Sequence, residues 1–251
     1  MQRISAVIIT RNEERNIARC LLSLQGIVDD VVVVDAESAD RTVAIAKGHG
    51  ARVTTRAWTD YSDQKNFANA LAIHPYILSL DADEQLSGEL RDGILKEKER
   101  GLHGAYRFAR LTNYCGTWVK HGGWYPDRKI RLFPRDRARW EGAHVHEGLK
   151  LDPSLTITDL RGDLLHYSYH TIADHMERIE RYSSLHARSM LQGGRSAGII
   201  QLLLSPVVKF VQGYIFQLGF LDGKAGFHIA RLSAVAVRLK YSKLRDLRRR
   251  G

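Results

Sequence analysis

Cysteine is scarce: Cys20 and Cys115 are the two thiols in 251 residues, and neither their number nor their spacing makes a disulfide framework or a zinc-ligand set. No charged segment followed by an apolar run and a cleavage site opens the chain, so the expectation is a cytosolic protein with reduced thiols. Acid is also short, with 28 Asp and Glu against 38 Lys and Arg and a formal charge of +10. A charge of that size points to nucleic acid or to an anionic membrane surface, and its position decides which. The deficit is local: residues 205–251 hold ten Lys or Arg against only Asp222 and Asp246, a net of +8 that leaves the rest nearly neutral. Charge is almost missing from residues 198–221, where Lys209 stands alone.

What is present has ordinary globular statistics, 44% hydrophobic and 26% charged, enough to bury a sizeable core. The first half alternates short β-branched runs (residues 4–10, 30–35, 52–55 and 76–80) with helical stretches (residues 14–24, 40–47 and 63–73). Such alternation predicts βαβ units and a parallel sheet. The runs Ala6-Val-Ile-Ile9 and Val31-Val-Val-Val34 are apolar throughout, the pattern of strands covered on both faces. Ligands of open α/β sheets bind beyond the carboxyl ends of the strands. Whatever follows Ile9, Val34 and Leu80 should therefore converge in one crevice: Thr10-Arg-Asn-Glu13, Asp35-Ala-Glu-Ser38 and Asp81-Ala-Asp-Glu84. Residues 104–167 read as an antiparallel extension forming the crevice's far wall. Thr171-Ile-Ala-Asp174 has capping-box spacing and opens a long helix to about Gln192.

Asp81 and Asp83 lie one residue apart after a buried strand. In an extended chain that spacing turns both carboxylates to one side, where a hard divalent cation takes oxygen ligands and keeps sites for phosphates. An isolated Asp-x-Asp is more often a solvated turn; what favours a site is the company of Asp35 and of the Thr10, Arg11, Asn12, Glu13 segment at neighbouring strand ends.

Taken together, Val7-Ile-Ile-Thr-Arg-Asn-Glu-Glu14, Val32-Val-Val-Asp-Ala-Glu-Ser-Ala-Asp-Arg-Thr42 and Leu78-Ser-Leu-Asp-Ala-Asp83 resemble, in order and spacing, the signatures of family-2 glycosyltransferases. The chain resembles in particular bacterial lipopolysaccharide core β-glucosyltransferases, through Gln64-Lys-Asn-Phe-Ala68, Trp124-Tyr-Pro-Asp-Arg-Lys-Ile-Arg-Leu-Phe133, His144-Val-His-Glu147 and Leu165-His-Tyr-Ser168. The resemblance spans essentially the whole chain. It implies the GT-A fold, an α/β class with a Rossmann-like, mostly parallel sheet flanked by helices. Residues 1–192 would form the nucleotide-sugar transferase domain, and residues 193–251 a helical, membrane-associating appendage.

Carried over by residue, the resemblance gives Thr10, Arg11, Asn12 and Glu13 to the nucleotide, Asp35 to its base (usually uracil), and Lys65 with Asp81 to the donor. Asp81 and Asp83 would hold a divalent metal, Mn or Mg, joined by His166 from a late strand. The family commonly has a second Asp and a Gly after the base-binding Asp; here Ala36 and Glu37 stand instead, and Asp35 could equally cap a helix. His166 could equally be a buried histidine bonded to backbone. Inversion needs a general base opposite the leaving group. Glu147 is the first candidate, since the family places its catalytic carboxylate there; Glu141 and Asp127 compete, with His146 as a weaker site residue. Arg128 and Arg131 suit phosphate or an anionic acceptor, or serve surface salt bridges.

At the C-terminal end a helical wheel sets Val207, Phe210, Val211, Tyr214, Ile215, Leu218 and Leu221 against Ser205, Lys209 and Gln212, as in an interfacial helix. Lys224, Arg231, Arg238 and Arg245 recur every seven residues as a basic stripe suited to anionic headgroups, unless the segment is an ordinary packed hairpin. The expectation is an inverting, metal-dependent transferase at the cytoplasmic face of the bacterial inner membrane, held there peripherally. It would carry a hexose, glucose from UDP-glucose, from a nucleotide-sugar donor to a lipid-linked saccharide acceptor, a hydroxyl of the lipopolysaccharide inner core. A polyprenyl phosphate acceptor is the neighbouring alternative. A nucleic-acid partner is disfavoured because the crevice is acidic and repels phosphates unless a metal intervenes. Oligomeric state stays open.

Overall fold

The computed structural model describes residues 2–142 and 148–250. The chain divides into two compact units, Met1–Arg110 with Asp127–His166, and Leu111–Pro126 with Tyr167–Gly251.

In the first unit β1 (Ile4–Thr10), α1 (Ile17–Leu24), β2 (Asp30–Asp35), α2 (Thr42–Gly48), β3 (Arg52–Thr55), α3 (Tyr61–Leu71) and β4 (Tyr76–Asp81) follow the expected alternation. There follow β5 (Glu84–Leu86), α4 (Gly88–Arg100) and β6 (Ala105–Tyr114), whose last residues belong to the second unit together with β7 (Thr117–Val119). The first unit resumes with β8 (Asp127–Pro134), the ribbon of β9 (Ala138–Glu141) and β10 (Gly148–Leu151), and the first ten residues of β11 (Ile157–Tyr169).

The main sheet runs β3-β2-β1-β4-β8-β6-β11-β5. Its first four strands are parallel, and β8 adds antiparallel to β4 and to β6. β1, apolar throughout Ala6 to Ile9, is central because both faces are covered. Ile4, Ala6 and Ile8 enter one core with Ile17, Leu21 and Leu24 of α1, while Val7 enters another with Ala68 of α3 and Ala72, which follows its last turn. That alternation is the period of two of a strand. Asp60 caps α3 by accepting from the Asp63 N–H, and Ser87 caps α4 by accepting from Leu90, each satisfying a helix-end donor that would otherwise be orphaned.

In the second unit the end of β6 pairs antiparallel with β7. Tyr114, Val119, Ala225 and Ile229 form its core, with Trp124 and Tyr169 against them. α5 (Ile172–Gln192) opens with the capping box read from Thr171 and Asp174. α6 (Ile199–Val211) runs into a π-turn over Gln212–Phe216, reverses at Leu218 (φ 58°), and leads through a 3-10 turn, Gly219–Asp222, into α7 (Gly223–Arg250). Phe210 and Tyr214 face Phe227 of α7 at ring distances of 6.0 and 5.8 Å. The apolar face drawn on the wheel is thus split: Phe210 and Tyr214 pack inward, whereas Val207, Ile215, Leu218 and Leu221 are exposed. A pattern of apolar positions cannot choose which flank of an apolar helix a second helix will cover.

Candidate active site

Strand register brings the expected residues together. Thr10 lies opposite Asp35, and Ile9 opposite Asp81, so the end of β1 is flanked by both acids. Beyond Thr10 the chain turns through Asn12 at φ 55°, a left-handed conformation that Asn tolerates better than most residues. The turn is tied to the loop after β2: Asn12 N–H donates to Ser38 Oγ (2.8 Å), Ala39 N–H to Asn12 Oδ1 (2.8 Å), Glu13 N–H to Thr42 Oγ1 (2.8 Å), and Glu14 N–H to Asp40 (3.1 Å). Asp35 is buried, and its two oxygens accept from the backbone N–H of Ser38 at 2.9 Å and from its hydroxyl at 2.5 Å. In the free protein Asp35 therefore organises the loop; it does not cap a helix, the alternative raised by the sequence, since the N-cap of α2 is Arg41. Thr10 Oγ1 is buried with no partner, a polar atom whose desolvation is uncompensated until something reaches it.

The Asp-x-Asp segment is not extended. β4 ends at Asp81, the chain turns through Ala82 and Asp83, and β5 begins at Glu84. The two carboxylates consequently meet different partners. Asp81 receives Arg131 Nη2 at 2.7 Å on one oxygen and Lys65 Nζ at 3.2 Å on the other. Glu84, fully buried, accepts the Asp81 N–H (3.0 Å) and the guanidinium groups of Arg131 (2.6 Å) and Arg110 (3.3 Å). Arg110 in turn holds Asp127 at 2.6 Å. Three carboxylates are thus balanced by three cations, the condition under which charges can be buried at all. Burial alone would raise the Asp81 carboxyl, but Arg131, Lys65 and Arg110 outweigh it and hold the group well below the ordinary carboxylate range. Burial likewise opposes charge on Arg131, and Asp81 and Glu84 reverse this, raising its affinity for the proton. The Arg131 Nε remains buried without a partner. Lys65 is further fixed by the Trp140 ring, 4.4 Å from its ammonium to the centroid.

Asp83 pairs instead with His166, Oδ2 to Nε2 at 3.2 Å, both side chains mostly buried. Strand β11 delivers His166 directly opposite Glu84 on β5. No group of three or more His, Cys, Asp or Glu side chains is gathered for a metal among the described residues, so Asp81 does not join the other two. A carboxylate beside an imidazole still suits Mg²⁺ or Mn²⁺, which take one or two protein ligands and complete their shell with water and substrate phosphates.

The remaining candidates separate clearly. Arg131 is buried in the ion network and does not form the surface salt bridge raised as an alternative; Arg128 does form one, with Asp159 at 3.0 Å. Asp127 is engaged by Arg110 and Lys129 (3.1 Å); against the burial that raises it, these cations lower its carboxyl, making it a weak proton acceptor. Glu141 is exposed beside Lys150. Glu147, with His144 and His146, lies outside the described residues. Sequence reading missed Glu84 and Arg110. The available signal was an acid directly after the Asp-x-Asp, which a buried strand cannot hold without cations from neighbouring strands.

The sequence profile of the family described as Glycosyl transferase family 2 matches residues 5–148. An uncharacterised glycosyltransferase of Rickettsia typhi is 32% identical over 257 residues, covering 98% of this chain and 88% of that protein. The lipopolysaccharide core biosynthesis glycosyltransferase LpsC of Rhizobium meliloti is 28% identical over 251 residues, covering 96% and 91%. Among solved structures, Staphylococcus aureus TarS, in complex with UDP-GlcNAc, superposes with a TM-score of 0.48 at 14% identity over 99% of this chain and 92% of that one. Glucosyl-3-phosphoglycerate synthase from Mycobacterium tuberculosis, in complex with Mn²⁺, UDP and glucosyl-3-phosphoglycerate, gives 0.46 at 16% identity over 68% and 72%.

Proposed function

This chain is a member of glycosyl transferase family 2, a glycosyltransferase of GT-A architecture, and on that premise we propose that it transfers a hexose, with inversion, from a nucleotide-sugar donor to a lipopolysaccharide inner-core hydroxyl. The observation that carries the reading is the placement of the Asp83–His166 pair (3.2 Å) and the charge-balanced Asp81 at one end of the parallel strands. We take the donor to be UDP-glucose. The acceptor class follows the name of the Rhizobium meliloti relative, and a lipid-linked acceptor would place the enzyme peripherally on the cytoplasmic face of the inner membrane.

In this reading the Thr10 to Glu13 turn and Asp35 receive the nucleotide, and the orphaned Thr10 hydroxyl gains a partner there. Asp81 and Lys65 sit at the donor's ribose-diphosphate end. Asp83 and His166 hold the divalent ion, which supplies Lewis-acid stabilisation to the diphosphate leaving group. Because Arg131 and Lys65 already neutralise Asp81, the protein presents less bare negative charge to an incoming diphosphate than three adjacent acids would. Glu147 is the base that takes the acceptor proton.

The test is turnover with UDP-, GDP- and dTDP-sugars, with and without Mn²⁺ or Mg²⁺. We expect metal-dependent use of UDP-glucose, and a loss of roughly a hundredfold or more in Asp83→Ala and in Glu147→Gln. Metal-independent transfer, or an unimpaired Asp83→Ala enzyme, would refute the metal role. An unimpaired Glu147→Gln enzyme would point to a polyprenyl phosphate acceptor, which is already anionic and needs little base assistance.

A further inference from the structure

Helix α6 has no buried residue along its 13 positions. Ile199, Ile200, Leu203, Leu204, Val207 and Val208 are 57–68% exposed and recur at i, i+1, i+4, i+5, i+8 and i+9, which confines them to one half of the helix. Through and beyond the π-turn the exposure continues at Ile215, Phe216, Leu218, Phe220 and Leu221, with Phe216 at 78%. A monomer does not leave a continuous apolar surface of this extent in water without a partner.

Two features select the partner. The first is charge. The apolar stretch carries only Lys209, while Lys224, Arg231 and Arg238 of α7 are exposed at seven-residue intervals. A second copy seated on α6 would bring together two segments of net charge +8; anionic headgroups above an apolar leaflet complement both properties at once. The second is length. The stretch Ile199–Phe216 has 18 residues and a mean hydropathy of 1.6, sufficient by composition to cross a membrane. However, α6 itself covers only about 20 Å of a hydrocarbon core of about 30 Å. It contains Pro206, the chain reverses at Leu218, and α7 returns against it through Phe227.

We infer that residues 199–221 form a monotopic hairpin that lies in one leaflet of an anionic bilayer, with the basic stripe of α7 at the headgroups. The inference rests on the membrane-bound acceptor proposed above for its purpose, while the exposed surface stands without it. In this arrangement the hairpin holds the enzyme where a lipid-linked acceptor is presented.

The test is flotation of the intact protein with vesicles of phosphatidylcholine alone or with about 30% phosphatidylglycerol, alongside UDP-glucose turnover. Wild type should float with the anionic vesicles. Leu204→Asp/Val208→Asp and Arg231→Glu/Arg238→Glu should each lower the bound fraction at least about tenfold, with unchanged far-UV circular dichroism and unchanged hydrolysis of soluble donor. Phe216→Trp fluorescence should be quenched by lipids brominated in the near leaflet only. The inference fails if wild type floats with neither vesicle, if the α6 variant floats like wild type, or if that variant instead dissociates a lipid-free dimer. Flotation without donor turnover would overturn the catalytic reading and leave this one standing; turnover without flotation would do the reverse.

Discussion

At the scale of single residues, Arg131 has the largest consequence. Its buried guanidinium bridges Asp81 at 2.7 Å and Glu84 at 2.6 Å, so removing it strands the fully buried Glu84 and the partly exposed Asp81 with Lys65 and Arg110 as their remaining cations. Breaking a buried ion pair by deleting one partner costs about 3–5 kcal/mol, against about 0–1 kcal/mol for an exposed pair such as Arg128 with Asp159. Arg131→Met should therefore lower the melting temperature by about 10 °C, whereas Arg128→Met should leave it within about 2 °C. Glu84→Gln in the Arg131→Met background should recover part of the loss, because it removes one of the stranded charges. Equal destabilisation by the two Arg variants in thermal melts would show that the network is not buried in solution. The sequence named Asp81, Asp83, His166 and Lys65 through the family resemblance, and strand order brings their carriers together. It could not assign their pairing, because a turn at Ala82 and Asp83 decides which acid faces which base. Whether a turn or a further extended residue follows Asp81 depends on the cations of β6 and β8 that Glu84 finds.

At the scale of elements, the central strands were the most legible. Doubly covered strands must be apolar at every position, and β1, β2 and β4 are nearly so. The capping box at Thr171 gave the start of α5 for an equally local reason. The delivery of His166 was less legible, since it depends on how β11 passes α4. Gly162, at φ +89°, lies where an added Cβ would meet the Leu90 backbone and come within 2.9 Å of the Glu89 carbonyl carbon. Gly162→Ala thus combines left-handed strain of about 1–2 kcal/mol with a clash against a helix N-terminus that cannot shift without moving its Ser87 cap. Gly26, at φ +74° with nothing within 4 Å, isolates the strain alone. Gly26→Ala should cost about 1 kcal/mol, and Gly162→Ala at least about 3 kcal/mol or failure to fold. Where soluble Gly162→Ala protein is obtained, it should show weakened Mn²⁺-dependent UDP binding by calorimetry, because β11 would carry His166 away from Asp83. Similar stabilities for the two variants would mean that α4 yields easily and that β11 is not pinned at this point. The orientation of α6 escaped the sequence for a related reason: the aromatic stack of Phe210 and Tyr214 on Phe227 belongs to a contact between helices.

For the molecule as a whole, the two compact units carry titratable groups of opposite acid response. In the second unit His175 is buried, lies 3.0 Å from the Tyr114 hydroxyl and packs among Tyr169, Tyr114 and Trp124. Burial, reinforced by Arg178, pushes its proton affinity down to about 4 from an ordinary value near 6.5. Between those values the unfolded chain binds a proton that the folded unit refuses, so stability rises with pH across the window and is lost as pH falls from about 6.5 to about 4. The loss is of order 3 kcal/mol at 1.36 kcal/mol per unit. In the first unit the Asp81 carboxyl is depressed. Its stabilising contribution is complete above the ordinary carboxylate value of about 4 and is lost progressively as pH falls from there toward its folded value, well below. Acid should therefore weaken the second unit while the Asp81, Glu84 and Arg131 network is still intact. Thermal melts at successive pH values should resolve two transitions below about pH 6, the earlier one reported by near-ultraviolet dichroism of the Trp124 cluster. His175→Gln, which keeps a hydrogen-bonding group toward Tyr114 without a titrating proton, should cut the acid shift of that transition by half or more. A single transition whose pH dependence is identical in wild type and His175→Gln would show that carboxylates common to both units, and not this histidine, set the acid limit of the fold.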